Sequence, residues 1–489
     1  MIKEGRGRFS SCLPVRLSAV KEVVMASGND VSWLNEEEIV LTLARCESED
    51  PGRIRAVLAR GLELRGLSRD DVAVLTTIRS PDLLQELFDA ARRVKEEIYG
   101  RRLVLFAPLY ISNLCRNECL YCAFRITNKK LQRRALRQDE IAEETRAIVN
   151  QGHKRILLVA GESYPNDGFQ YILDAIATVY SVKEGKGEIR RLNVNIAPLP
   201  VEEFRQLKQA GIGTYQLFQE TYHRGTYGSV HARGPKTDFN WRVTAMDRAM
   251  QAGIDDVGVG ILFGLHDWRF EILSLMQHIS HLEDAFGVGC HTISVPRLEP
   301  AVGSDLASNP PHPVSDEDFK KIVAVLRLAV PYTGIIMSTR ETAKMRAETF
   351  ALGVSQISAG SRTNPGGYLE DIDENASQFQ LGDHRPLAEV VKDVCDLGYI
   401  PSYCTACYRL GRTGQDFMDL AKPGLIKEKC APNALSTFME YLIDYAPPET
   451  RIAGEQAIER ELSEMAPGTR QLAERLLKAV RNGKRDVYC

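Results

Sequence analysis

Residues 103–122 read LVLFAPLYISNLCRNECLYC, an apolar, strand-like run that turns directly into Cys115, Cys119 and Cys122. The C-x3-C-x2-C spacing puts three thiols on one short loop. Three thiolates can hold three irons of a [4Fe–4S] cluster and leave its last iron open to a substrate. Zinc usually takes four ligands in two separated pairs, and no partner pair flanks this loop. Unpaired buried cysteines are the other alternative.

Outward from this strand the chain repeats a strand–helix rhythm. Short runs rich in Val, Ile, Leu or aromatics recur at 155–161, 192–197, 214–220, 257–264, 292–298, 334–340 and 356–360, each bounded by Gly, Pro or charge. The segments between them have helical spacing. In 138–150, Ile141, Thr145 and Ile148 share one face, and Gly152 follows as a stop. The tetrapeptide Gln-Ala-Gly-Ile occurs at 209–212 and again at 251–254, each time between a helix and a strand. Eight such strands predict an α/β fold, a (β/α)8 TIM barrel over residues 101–365. Residues 1–100 read as an N-terminal extension and helical region. A Pro/Gly-rich stretch at 364–367 closes the barrel, and 366–489 form a mainly helical C-terminal domain. In such barrels chemistry sits on loops at the C-terminal ends of the strands, where the cysteine loop falls.

Composition narrows the class. A net charge of -3 gives no general attraction for nucleic acid or an anionic membrane. The longest apolar runs, such as 155–161, are far short of the ~18 residues of a membrane span. The basic, Ser-containing start of the chain lacks the apolar stretch of a secretory signal. It reads as an extension, with an organelle-targeting segment as the alternative. Eleven cysteines, an odd and clustered set, argue against a disulfide framework and for metal binding in a reducing compartment, the cytoplasm.

The cysteine spacing, with Tyr121 in the aromatic place before the last thiol, resembles that of the radical SAM superfamily. The resemblance implies S-adenosyl-L-methionine (SAM) bound at the open iron, reductive cleavage of its sulfonium bond, and a 5′-deoxyadenosyl radical. Glu162, after the second strand, is implied to meet the SAM amino group; otherwise it is a solvated loop carboxylate. Arg242, before the fifth strand, pairs with the SAM carboxylate or forms a surface salt bridge.

A second trio follows the barrel: Cys404, Cys407 and, after a gap, Cys430. A second [4Fe–4S] cluster with an open iron fits it, with zinc the weaker alternative because only Cys395 and His384 lie nearby. Together with NLCRNECLYCAF, GES, FQETYH, GILFGLHDWRFE, STRE and CTACYRLGRTG…KCAPNAL, the chain resembles the tyrosine lyases that mature [FeFe]-hydrogenase, the HydG family. The likeness runs from the first strand to the C-terminal helices and omits residues 1–32.

That resemblance implies tyrosine cleavage to p-cresol and dehydroglycine, then conversion of dehydroglycine to carbon monoxide and cyanide at the second cluster. These ligands bind an additional iron to form a precursor of the hydrogenase H-cluster. The partners it implies are tyrosine, an electron donor such as ferredoxin or flavodoxin, other hydrogenase maturases, and cysteine as a candidate ligand of the extra iron. Arg340, with Arg297 as the alternative, is the candidate for the tyrosine carboxylate, and Ser338 for its amino group; each otherwise serves as a structural polar residue of the rim. Family position assigns His266 to the extra iron beside the second cluster, with Asp267 orienting the ring. A loop histidine is otherwise a surface residue. Three rival functions remain: a tyrosine lyase supplying dehydroglycine for thiazole synthesis, a different radical SAM reaction, and a non-catalytic iron–sulfur carrier. The second trio opposes the first rival, and a carrier has no need of a barrel with polar residues at its strand ends.

Overall fold

A computed structural model describes residues 30–165, 167–370, 376–421 and 426–489. Most of the N-terminal extension, residues 1–29, lies outside them. Eight parallel strands form a closed ring: β1 (Arg102–Ser112), β2 (Arg155–Ala160), β3 (Arg191–Asn195), β4 (Tyr215–Glu220), β5 (Val257–Ile261), β6 (Thr292–Ser294), β7 (Gly334–Met337) and β8 (Val354–Ser358). Pairing of Val104 with Gln356 and Leu105 with Ile357 joins β8 back to β1 and closes the barrel. All eight apolar runs fall on these strands. They read as apolar because helices cover the outside and side chains fill the inside, so almost every position of β1, β5, β6, β7 and β8 is buried.

Among the described residues four helices precede the barrel: α1 (Glu36–Arg45), α2 (Pro51–Gly61), α3 (Arg69–Thr76) and α4 (Pro81–Tyr99). Their starts carry ordinary stop-and-start chemistry. Asn35 caps α1, Ser68 and Asp71 form a capping box on α3, and Pro opens α2 and α4. Leu83, Leu87, Ala91, Val94 and Ile98 bury one face of α4, which packs on the barrel helix Asp316–Ala329. The chain then passes from Tyr99 straight into the start of β1.

One element had no sequence signal. The three residues Ile400–Ser402 (β9) pair in parallel with the start of β1, Arg102 opposite Ile400 and Val104 opposite Ser402. This adds a ninth strand beside the ring. It delivers Cys404, two residues later, to the N-terminal end of the barrel. The helices Ile426–Asp444, Pro448–Glu464 and Pro467–Arg481 complete the C-terminal region. No helix among the described residues is long and apolar enough to cross a membrane.

Candidate functional site

The first trio lies at the C-terminal end of the strands. Cys115, Cys119 and Cys122 face one cavity together with Tyr121, Glu162, Arg242, Ser338 and Arg340. Gly161 permits this packing: its N–H donates to the Ser112 carbonyl at 2.9 Å, and a β-carbon there would strike the Leu114 carbonyl. Burial pushes the thiols up, Cys122 to about 11, so a metal must displace their protons on binding. Two donors already point at the Cys122 sulfur, the Phe124 N–H at 3.4 Å and the Gln378 side-chain amide at 3.7 Å. Three thiols on one loop facing one cavity suit a [4Fe–4S] cluster, whose thiolates bind separate irons and leave one iron open.

Beside the thiols lies a compact charge network. Glu162 accepts from Arg242 at 2.9 Å and from the Asn117 amide at 2.7 Å. Lys236 reaches Glu220 at 2.7 Å, and Arg242 stands 3.8 Å from the same carboxylate. Burial opposes the Glu162 carboxylate, but Arg242, Lys236 and Asn117 outweigh it and hold the group below the usual range. Glu220 has φ 72, a left-handed conformation rare for a side-chain-bearing residue. That strain turns its carboxylate into the cavity at the end of β4. Tyr121 is locked by a 2.8 Å hydrogen bond between its hydroxyl and His231 Nε2.

The structure corrects two sequence expectations here. Arg242 is no surface salt bridge: it is 4% exposed, and its guanidinium is engaged by Glu162 and by the Phe218 carbonyl at 2.7 Å. It orients Glu162 while still lining the cavity. Arg297 does not line the cavity. It pairs with Glu341 at 2.5 Å and Asp316 at 2.8 Å, and lies over the Phe319 ring. Arg340 lines the cavity, its guanidinium carbon 3.3 Å from the Phe379 ring centroid. Among the described residues its guanidinium makes no hydrogen bond or salt bridge, and the Glu220, Glu299 and Cys122 groups act on its charge from a distance. Ser338 lines the same wall and accepts from the Arg340 N–H at 3.3 Å. Asn117, Glu220, Lys236 and Gln378 went unnoticed in the sequence; of these, only Glu220 carried a signal, its place at a strand end.

The second trio lies at the opposite, N-terminal end. Cys404, Cys407 and Cys430 share a cavity with Arg102, Arg155, His291, Tyr408 and Gln356. Cys407 and Cys430 are hydrogen-bonded to each other, and this bond, with Arg102 and Arg412 nearby, holds Cys430 below an ordinary thiol. Burial works against the Arg102 charge, but Cys430, Tyr99, Cys404 and Cys407 outweigh it. His291 Nε2 lies 3.3 Å from the Tyr408 hydroxyl. Three thiols, two guanidiniums that form no salt bridge among the described residues and one imidazole form a set able to hold an anionic cluster.

His266 is not there, contrary to the assignment by family position. It follows the C-terminal end of β5, stacked on His223 with centroids 3.9 Å apart and in reach of Thr226 Oγ1 at 3.2 Å. Burial and the neighbouring His223 and His312 lower it to about 4. The strand alone separates it from the second trio by roughly five residues at ~3.3 Å each. Asp267 caps the helix Trp268–Phe286 and pairs with Arg269, so it does not orient the His266 ring toward iron.

Comparison with known proteins brackets this geometry. The radical SAM superfamily model matches residues 109–278, and that of the Biotin and Thiamin Synthesis associated domain matches 294–400. The 2-iminoacetate synthase of Escherichia coli is 32% identical over 365 residues, 74% of this chain and 94% of that protein. A crystal structure of HydG, a maturase of the [FeFe]-hydrogenase, superposes with TM-score 0.90 at 48% identity, covering 94% of this chain and all (100%) of that one. The HydG of Carboxydothermus hydrogenoformans gives 0.79 at 42%, covering 90% and 97%. The 2-iminoacetate synthase match leaves about a quarter of this chain uncovered, whereas the two maturase structures extend over nearly all of it, and on that extent the chain belongs to the HydG family of the radical SAM superfamily.

Proposed function

We propose that this radical SAM enzyme cleaves tyrosine to p-cresol and dehydroglycine, and converts dehydroglycine to carbon monoxide and cyanide for the [FeFe]-hydrogenase active site. The observation that carries the reading is the placement of two cysteine trios at opposite ends of one barrel. Each faces a cavity lined by inward residues of the same strands. Phe106, Leu157 and Ser358 line the first cavity; Val104, Arg155 and Gln356, each two residues earlier on the same strand, line the second. Residues two apart on a strand share a face, so one inner surface runs from one site to the other.

The first trio holds a [4Fe–4S] cluster which, with SAM, supplies reductive cleavage of the sulfonium bond and a 5′-deoxyadenosyl radical when bound. Glu162, fixed by Arg242 and Asn117, accepts from the SAM amino group. Arg340 pairs with the tyrosine carboxylate through two hydrogen bonds, and Ser338 stands beside it for the amino group. The apolar wall of Phe106, Pro108, Leu157 and Val159 excludes water from the radical step. At the other end Cys404, Cys407 and Cys430 hold the second cluster, and His291, in place of His266, offers an imidazole to the additional iron. Free cysteine is a further ligand for that iron. A one-electron carrier of the ferredoxin or flavodoxin type supplies electrons, other hydrogenase maturases receive the product, and the reaction takes place in the cytoplasm. The ten described cysteines are all free thiols, which suits a reducing compartment.

Anaerobic reconstitution with iron and sulfide, followed by turnover of tyrosine and SAM, tests the reading. Expected products are p-cresol, 5′-deoxyadenosine and carbon monoxide. Formation of p-cresol with intact dehydroglycine and no carbon monoxide would instead support the thiazole-type reaction. The 2-iminoacetate synthases give that alternative its weight.

A further inference from the structure

The stretch 376–383 crosses the mouth of the barrel and is anchored at several points. The Gln378 N–H donates to the Thr363 carbonyl at 3.0 Å, and the Gln378 carbonyl accepts from the Ala123 N–H at 3.4 Å. The N–H groups of Gly382 and Asp383 both donate to the Thr339 carbonyl, at 2.9 and 3.1 Å. Asp383 also binds Arg346 and Arg385. With its main chain held on both sides, Gln378 projects into the first cavity between Tyr110 and Cys122.

The side chain's two ends are chemically distinct. Its carbonyl oxygen accepts from the Tyr110 hydroxyl at 2.8 Å, and its NH2 group donates to the Cys122 sulfur at 3.7 Å. The opposite amide orientation would put an oxygen lone pair against a thiolate and lose the phenol donor. Burial raises the Tyr110 phenol, so it stays protonated and can only help by donating. Tyr110 is itself fixed edge-on to Phe124, with centroids 6.1 Å apart. Among the described residues Gln378 is the one side chain hydrogen-bonded to a sulfur of this trio. A space-filling glutamine would need neither contact.

We infer that Gln378 is a positioning residue for the Cys122 thiolate, and that its N–H···S hydrogen bond sets the reduction equilibrium of the cluster. The inference rests on the reading that Cys115, Cys119 and Cys122 hold that cluster. A donor on a ligand sulfur stabilises the more electron-rich, reduced state, so it raises the potential. The function is distinct from that of Arg340 and Glu162, which face the substrates.

The test uses the full chain with both clusters, followed by redox titration and electron paramagnetic resonance. Only the first cluster's signal should change when SAM is added, so that component is the one read. Q378L should keep the iron content but shift the midpoint downward by about tenfold in the one-electron equilibrium, about 59 mV. One exchangeable-proton coupling, removed in wild type by deuterium oxide, should already be absent, while that of the Phe124 N–H, 3.4 Å from the same sulfur, remains. Q378E, which keeps the size but brings a carboxylate, should shift the midpoint in the same direction and serves equally if Q378L does not assemble. A SAM-responsive signal with wild-type midpoint and wild-type proton coupling in either variant overturns the inference. Absence of any SAM-responsive signal in wild type overturns the cluster reading beneath it.

Discussion

His291 and Tyr408 meet at the base of the barrel, imidazole Nε2 to phenol oxygen at 3.3 Å, joining the start of β6 to the loop that carries Cys404 and Cys407. His266 stands at the other end of the barrel. If the imidazole near the second trio serves the additional iron, His291→Ala should lower occupancy of that iron by about 10–100-fold while sparing both clusters. His266→Ala should leave it unchanged. Iron quantification and electron paramagnetic resonance of the reduced protein distinguish the two. Equal iron loss in both variants would separate iron binding from position in the barrel.

The distance between the trios predicts separable stages. A Cys404→Ala/Cys407→Ala variant leaves the network of Glu162, Arg242, Glu220 and Lys236 untouched, because no residue of the second cavity contributes to it. It should still form p-cresol and 5′-deoxyadenosine at rates within a few-fold of wild type, with carbon monoxide abolished. Carbon monoxide at the wild-type level would remove the second stage from this site.

Much of the fold and of the site is legible in the sequence, and what is not legible has physical causes. Barrel strands buried on both faces appear as continuous apolar runs, so all eight were found. The strand Ile400–Ser402 has three residues, one a proline, and exists only because β1 offers it an edge. Both trios were visible from spacing alone. Resemblance points to His266, whereas strand direction selects His291: His266 follows a strand and His291 precedes one, and parallel strands send those positions to opposite ends. Arg297 and Arg340 both sit just beyond strand ends. Only packing reveals that Glu341 and Asp316 draw the first outward while Phe379 steers the second inward. Lys236 lies in a Gly-Pro turn with no periodic pattern to mark it.

Glu271 should make stability depend on pH. It is buried in the helix Trp268–Phe286, accepting from the Thr221 hydroxyl and from the Tyr222 N–H at 2.8 Å. Burial raises it from 4.5 to about 8. The folded state therefore holds a proton that the unfolded chain has released between those values. Its contribution to stability is greatest below the unfolded value and is lost as pH rises toward 8, at up to ~1.4 kcal/mol per pH unit. Glu271→Gln should flatten this slope, becoming more stable relative to wild type from pH 5.5 to 8. Thermal unfolding across that range, on protein with constant metal content, would show it. Parallel curves for the two proteins would contradict the assignment.

Arg340 and Arg297 offer the sharpest contrast between a substrate-facing and a structural arginine. Arg340 forms no salt bridge among the described residues, and Glu220 and Glu299 feel its charge without bonding to it, so its removal breaks no ion pair. Arg340→Ala should fold normally and lose the pairing with the tyrosine carboxylate. A charge-assisted hydrogen bond is worth about 1.5–3 kcal/mol, which converts to a KM for tyrosine higher by roughly 10–150-fold. Arg340→Lys should recover only part of this, because an ammonium cannot match the planar two-point fork. Arg297 is bonded to a Glu341 side chain that is 2% exposed. Arg297→Ala strands that carboxylate and should cost about 3–5 kcal/mol of stability, with KM for tyrosine within a few-fold of wild type. Steady-state p-cresol formation and denaturant unfolding, measured on all three variants, separate the effects. A large KM change in Arg297→Ala without loss of stability, or none in Arg340→Ala, would reverse the roles assigned to the two arginines.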